Sequence, residues 1–81
     1  MADNIKLLGI LVREPETDTH QLQDTLTSYG CNIRTRLGIN GSDNVKNAVI
    51  LLELTGPEEE QENLRKKLEW LDGIEVQSLS F

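Results

Sequence analysis

The side chains with reactive potential are few. The chain has one cysteine, Cys31, and one histidine, His20. A zinc site draws on several Cys and His ligands, so a single chain cannot assemble one from this pair, and an internal disulfide is excluded. No metal or other cofactor is expected. Cys31 follows Gly30 with no histidine near it in sequence, and it reads as a small packed residue rather than a nucleophile. His20 falls outside the Leu22/Leu26 stripe and reads as solvated rather than as a pH- or metal-responsive group. Phosphate-cradling Gly-rich loops, a Gly-x-Ser-x-Gly elbow and Cys-x-x-Cys pairs are all absent. The most suggestive polar pair is Arg34 and Arg36. Their spacing of two puts both on one face of an extended segment, and a planar guanidinium fork matches carboxylate or phosphate. The plainer alternative is an edge strand whose charges block unwanted pairing, with one cross-strand ion pair. Arg65-Lys66-Lys67 reads as a solvated helix face matched to the glutamates before it. Trp70 lies off the leucine stripe, where it shields a helix flank or joins an interface.

Charge and length narrow the classes further. Fourteen acids against eight bases give a net charge of −6. Nucleic-acid affinity comes largely from neutralising phosphates, so no direct nucleic-acid partner is expected. With Tyr29, Trp70 and Phe81 the only aromatics, the core must be aliphatic. No apolar run approaches the roughly 20 residues of a membrane span. Met1-Ala2-Asp3-Asn4 lacks the basic and apolar stretches of a signal peptide, so a soluble, cytoplasmic chain without membrane contact is expected. Residues 1–81 form one domain, with no linker or low-complexity segment.

The elements that position these groups follow from periodicity. Ile5 to Val12 is a near-continuous apolar run ending at Arg13-Glu14-Pro15, a strand buried on both faces. Pro15 keeps Glu14 out of helix, so Arg13 to Glu16 is a loop. Thr17 or Asp18 caps a helix whose stripe is Leu22, Leu26 and Tyr29, and Gly30 closes it in the left-handed region. From Asn32 the period becomes two. Ile33, Thr35, Leu37 and Ile39 point toward the helices; Asn32, Arg34, Arg36 and Gly38 point away. After the polar turn Asn40 to Asn44, Ala48 to Leu54 is a second doubly apolar strand. Thr55-Gly56-Pro57-Glu58 reads as a capping box for a helix with a Gln61/Leu64/Leu68/Leu71 stripe. Asp72-Gly73 ends that helix, and Ile74 to Phe81 is the closing strand.

This β-α-β-β-α-β order is an α+β fold with an antiparallel sheet of order 4-1-3-2 and both helices on one face. Both central strands are apolar on both sides, yet the helices cover one. Leu7, Leu11, Val49 and Leu51 are left on the open face. Pairing about the turn sets Arg34 opposite Glu53 and Arg36 opposite Leu51, so the expected interface adds Arg34, Arg36 and Glu53 to the four aliphatics. An aliphatic patch with a charged edge marks an interface, here between copies of the chain, as a homodimer or homotetramer.

Three segments carry a family resemblance: Leu7-Leu8-Gly9-Ile10-Leu11-Val12, Tyr29-Gly30-Cys31-Asn32-Ile33-Arg34-Thr35-Arg36-Leu37-Gly38, and Leu71-Asp72-Gly73-Ile74-Glu75-Val76. Together they resemble the iron-only hydrogenase system regulator family, with Arg36-Leu37-Gly38 the most distinctive piece. These small ACT-like domains are similar also to the C-terminal domain of nickel-responsive repressors. The resemblance implies a ferredoxin-like fold, homo-oligomerisation and a role in sensing a small ligand. Amino-acid-binding ACT domains often carry a glycine after the first strand; Arg13-Glu14-Pro15-Glu16-Thr17 has none, which argues against that ligand. A nickel site like the repressors' would need several His and Cys.

The reading is therefore a noncatalytic, oligomeric regulatory module that binds a small effector or a protein partner. Arg13, Glu14, Thr17, Arg34, Arg36 and Gly38 are the candidate ligand-binding residues. A small ferredoxin-like enzyme of the acylphosphatase type is the alternative, and the acidic, Pro-containing loop makes a poor phosphate cradle for it. A purely structural oligomerisation domain is the third reading.

Overall fold

Alternation along the strands decides where the core lies. The computed structural model describes residues 5–13, 18–40 and 47–81. Their elements are β1 (Lys6–Arg13), α1 (Thr19–Ser28), a 3-10 turn (Gly30–Asn32), β2 (Ile33–Asn40), β3 (Asn47–Leu54), α2 (Glu58–Glu69) and β4 (Ile74–Ser80). Leu8, Ile10 and Val12 of β1 and Ile50, Leu52 and Leu54 of β3 are buried, every second residue of each strand. Leu22 and Leu26 of α1 and Leu64, Leu68 and Leu71 in and after α2 close over them. Each such aliphatic contributes about 1.5–3 kcal/mol by leaving water. The four strands pair antiparallel in the order β2-β3-β1-β4, as expected. This is a ferredoxin-like α+β fold.

The helix ends are met in part by the expected residues. Asp18 Oδ1 accepts from the Gln21 amide at 3.1 Å, capping α1. Gly73, at φ +75°, lets the chain turn out of α2. Gly30 does not take the left-handed conformation; the chain tightens into the 3-10 turn, with the Asn32 amide donating to Tyr29 O at 2.8 Å. The capping box does not form either. α2 starts at Glu58 with Pro57 as its N-cap, so Glu58 stands too early in the helix to bond back to Thr55. Thr55 is held from elsewhere. Its amide donates to Asn32 O at 2.8 Å, and its carbonyl accepts from Asn32 Nδ2 at 3.3 Å. The buried Asn32 side chain also donates to Glu60 Oε1 at 2.8 Å. One asparagine thus ties the start of β2 to the β3–α2 turn.

The face assignment of β2 is corrected. Ile33 pairs with Leu54 and packs against the core, but Thr35 already pairs with Glu53. Arg34 is the extra residue of a bulge. Because side chains alternate with period two, one inserted residue exchanges the faces of all that follow. Leu37 and Ile39 lie on the open face opposite Leu51 and Val49, while Arg36 and Gly38 lie opposite Leu52 and Ile50 on the helix face. Arg36 therefore does not face Leu51, nor Arg34 Glu53.

Candidate functional site

The open face of the sheet is broader in aliphatic surface than the central strands alone provide. Leu7 and Leu11 of β1 and Val49 and Leu51 of β3 are half-buried there, as the alternation requires. The bulge adds Leu37 and Ile39, 53% and 45% exposed, and β4 adds Leu79, 52% exposed and paired with Leu7. Gly9 sits among them. A Cβ there would lie 3.7 Å from Leu51 Cδ2, so Leu51 leans over the glycine, and a hollow of about 270 Å³ opens between Gly9, Leu11, Val49, Glu75 and Gln77. The margins of the face are polar. Arg13 Nη2 meets Glu75 Oε1 at 2.7 Å, and Thr35 Oγ1 donates to Glu53 Oε1 at 2.9 Å. The face thus has an aliphatic centre and polar margins.

The Arg13 hydrogen bond, followed by one from Gln77, holds the Glu75 carboxyl below its ordinary value of 4.5. The folded carboxylate titrates lower than the unfolded one, so this pair favours the fold above about pH 4.5. That contribution is lost as pH falls through the folded value. Both side chains are partly exposed, 42% and 45%, so the effect on stability is small. In Arg13→Ala the Glu75 carboxyl should titrate closer to its ordinary value, read by NMR. An unchanged Glu75 titration would show that the pair does not perturb it.

On the other side of the sheet, Arg36 Nη2 donates to Gln23 Oε1 of α1 at 3.0 Å. Thr19, Leu22, Gln23, Arg36 and Gly38 line a cleft of about 220 Å³ between α1 and β2. Nothing stands within 4 Å of a Cβ built on Gly38, so the cleft is open above it. One guanidinium, one amide and one hydroxyl can receive an anion; they offer no general base and no nucleophile pair. The six ligand candidates do not converge. Arg36 and Gly38 share this cleft, Arg13 is on the opposite face with Glu75, and Arg34 is exposed at the bulge. Glu14 and Thr17 lie outside the described residues. Of the interface candidates, Leu7, Leu11, Val49, Leu51 and Glu53 share the open face, and Arg36 leaves the set.

Three further side chains are placed by their exposure. His20 is solvated, 3.5 Å from Asp24. Cys31 is exposed, not packed. Trp70 is 87% exposed and lines a hollow with Gln21 and Thr25 of α1. Among the described residues no group of three or more His, Cys, Asp or Glu is placed to hold a metal ion. Nor, among those residues, is any helix long and apolar enough to cross a membrane. Sequence reasoning missed Asn32, whose only signal was a polar residue breaking into the start of an alternating strand.

Residues 4–78 match the TM1266-like family model, described as "iron-only hydrogenase system regulator, putative". The chain belongs to this family. The structure of the uncharacterized protein TM1266 from Thermotoga maritima superposes with a TM-score of 0.84 at 22% identity, covering 98% of this chain and 99% of that one. CPII, a nitrogen regulatory PII-like protein from Thiomonas intermedia K12 solved with ADP, AMP and bicarbonate, gives 0.53 at 18% identity, over 96% and 92% of the two chains. A formyltetrahydrofolate deformylase from Pseudomonas putida KT2440 gives 0.58 at 11% identity; 91% of this chain matches 28% of that one. At these identities the structural likenesses establish the shared fold. No curated protein matches the sequence.

Proposed function

We propose that this family member is a noncatalytic regulatory module that works as a homo-oligomer and responds to a small effector or a protein partner. The carrying observation is the open sheet face, where Leu7, Leu11, Leu37, Ile39, Val49, Leu51 and Leu79 form one aliphatic surface with no covering element among the described residues. A surface of that kind on so small a domain favours a second copy as its cover. The family description supports a regulatory role, and the PII-like neighbour solved with nucleotides and bicarbonate supports small-ligand control on this architecture. An effector would act by favouring one assembly state over another, with the Arg36/Gly38 cleft as an anion-accepting position near the second strand. Light scattering over a concentration series tests the assembly. A mass that is a multiple of 9.1 kDa at tens of micromolar is expected, and a stable monomer would overturn the reading.

One contact supports this reading over an acylphosphatase. An arginine beside a phosphate cradle must be available to the anion, and Arg13 is instead bonded to Glu75 at the rim of the open face. Acylphosphate hydrolysis by the purified protein should not exceed the uncatalysed rate. Turnover abolished by Arg13→Ala would restore the enzyme reading.

A further inference from the structure

Gly9 is not called for by anything inside the protomer. It lies midway along a central strand, where a glycine weakens the strand and leaves nothing to pack. Its backbone is not left-handed; among the described residues Gly56 and Gly73 are the glycines with positive φ. A Cβ on Gly9 would meet Leu51 Cδ2 at 3.7 Å and Gln77 O at 3.9 Å, both ordinary contacts. A larger residue therefore fits the lone chain. What the glycine provides is the hollow of about 270 Å³ between Gly9, Leu11, Val49, Glu75 and Gln77. Strand glycines of this kind mark places where something outside the strand approaches closely.

The register across the sheet says which side chain can arrive. Leu37 of β2 and Gly9 of β1 flank Leu51 at one level; Ile39 and Leu11 flank Val49 at the next. Beside Leu51, then, β3 has a large residue on one side and a gap on the other. A two-fold axis laid along β3 between two stacked copies exchanges those sides. It sets Leu37 over the partner's Gly9, and Ile39 against the partner's Leu11. Leu51 and Val49 meet their own counterparts on the axis. Each contact off the axis occurs twice, as an isologous interface requires, and the usual rotation of about 30° between aligned sheets leaves this centre in place. Leu37 is 53% exposed in the protomer, so it has apolar surface to bury on arrival. Charge agrees with the placement. These facing pairs contain no charged side chain, and β4 overhangs the contact, leaving Glu75 with Arg13 at the rim. Glu53, one level further along β3, approaches its own counterpart at the edge of the contact.

We propose that the Gly9 hollow is the seat for Leu37 of a second copy, and that this knob and socket set the register of the dimer. The proposal rests on the homo-oligomer reading above and names the contact that orders it. The bulge at Arg34 is what makes Leu37 available, since unbroken alternation would turn that side chain toward the helices.

Light scattering over a concentration series, with far-UV circular dichroism to read folding, tests this on the full chain. Gly9→Leu fills the socket and should raise the dissociation constant at least about tenfold while the protomer stays folded. Leu37→Ala, at an exposed position, should raise it by a similar factor. Combining the two moves the knob to position 9 and the gap to position 37, which the same axis accepts. The double variant should therefore self-associate at least about tenfold more tightly than Gly9→Leu alone. Glu53→Gln removes a like charge across the axis and should tighten association; weaker association would overturn the axis. An assembled wild type indifferent to Gly9→Leu or to Leu37→Ala would overturn the seat and leave the oligomer standing. A double variant no tighter than Gly9→Leu would overturn Leu37 as the occupant. A wild type that stays monomeric would overturn the homo-oligomer reading itself, and this contact with it.

Discussion

In the proposed homo-oligomer, Leu51→Lys should release monomers without unfolding the chain. Leu51 stands at the middle of the open face, leaning over Gly9 and opposite Leu37. In a lone protomer this position is half-buried on a solvent-facing surface, and a lysine can lay its methylenes across Gly9 while its ammonium reaches water. In a closed sheet-to-sheet interface the same ammonium would be buried without a partner, which costs several kcal/mol. Since about 1.4 kcal/mol is tenfold in affinity, the dissociation constant should rise by at least about a hundredfold. Arg36→Ala is the internal control. Arg36 bonds Gln23 on the helix face, so its loss should leave the mass unchanged. Light scattering with far-UV circular dichroism reads both outcomes. A Leu51→Lys protein that stays folded and assembled would remove the open face from the interface.

The second large effect concerns Asn32 and Gly56. Asn32→Ala removes the donors to Thr55 O and Glu60 Oε1 at a buried position, and should lower unfolding free energy by about 1–3 kcal/mol. Gly56→Ala should be costly for two reasons. Its φ of +89° is unfavourable for a residue with a Cβ, by about 1–2 kcal/mol, and that Cβ would stand 2.8 Å from Asn32 Nδ2. Removing the asparagine side chain relieves the second penalty alone. The double variant should therefore be less destabilised than the sum of the singles, with a coupling of about 0.5–3 kcal/mol. Urea denaturation of the four proteins measures this cycle. Strict additivity would show that the side chain and the glycine do not meet.

Local pattern by itself determined much of this protein. The apolar runs in β1 and β3, the Leu22/Leu26 and Leu64/Leu68 stripes, Asp18 before α1 and Gly73 after α2 state the element order. Right-handed crossovers then leave one sheet order and one open face. These features were legible because period, capping and turn chemistry depend on neighbours in sequence. The phase of β2 was not. A bulge at Arg34 is invisible to alternation because it changes the register with β3, a relation between segments nearly twenty residues apart. It sends Leu37 and Ile39 to the open face and Arg36 to α1, which enlarges the aliphatic surface and takes the arginine from it. The start of α2 was also decided at a distance. Thr55 could have capped it locally, but Asn32 holds both backbone groups of Thr55 and the helix begins at Glu58. Likewise Gly9 reads as one more residue of an apolar run until β3 and β4 are laid beside it, because a hollow exists only between elements that tertiary packing brings together.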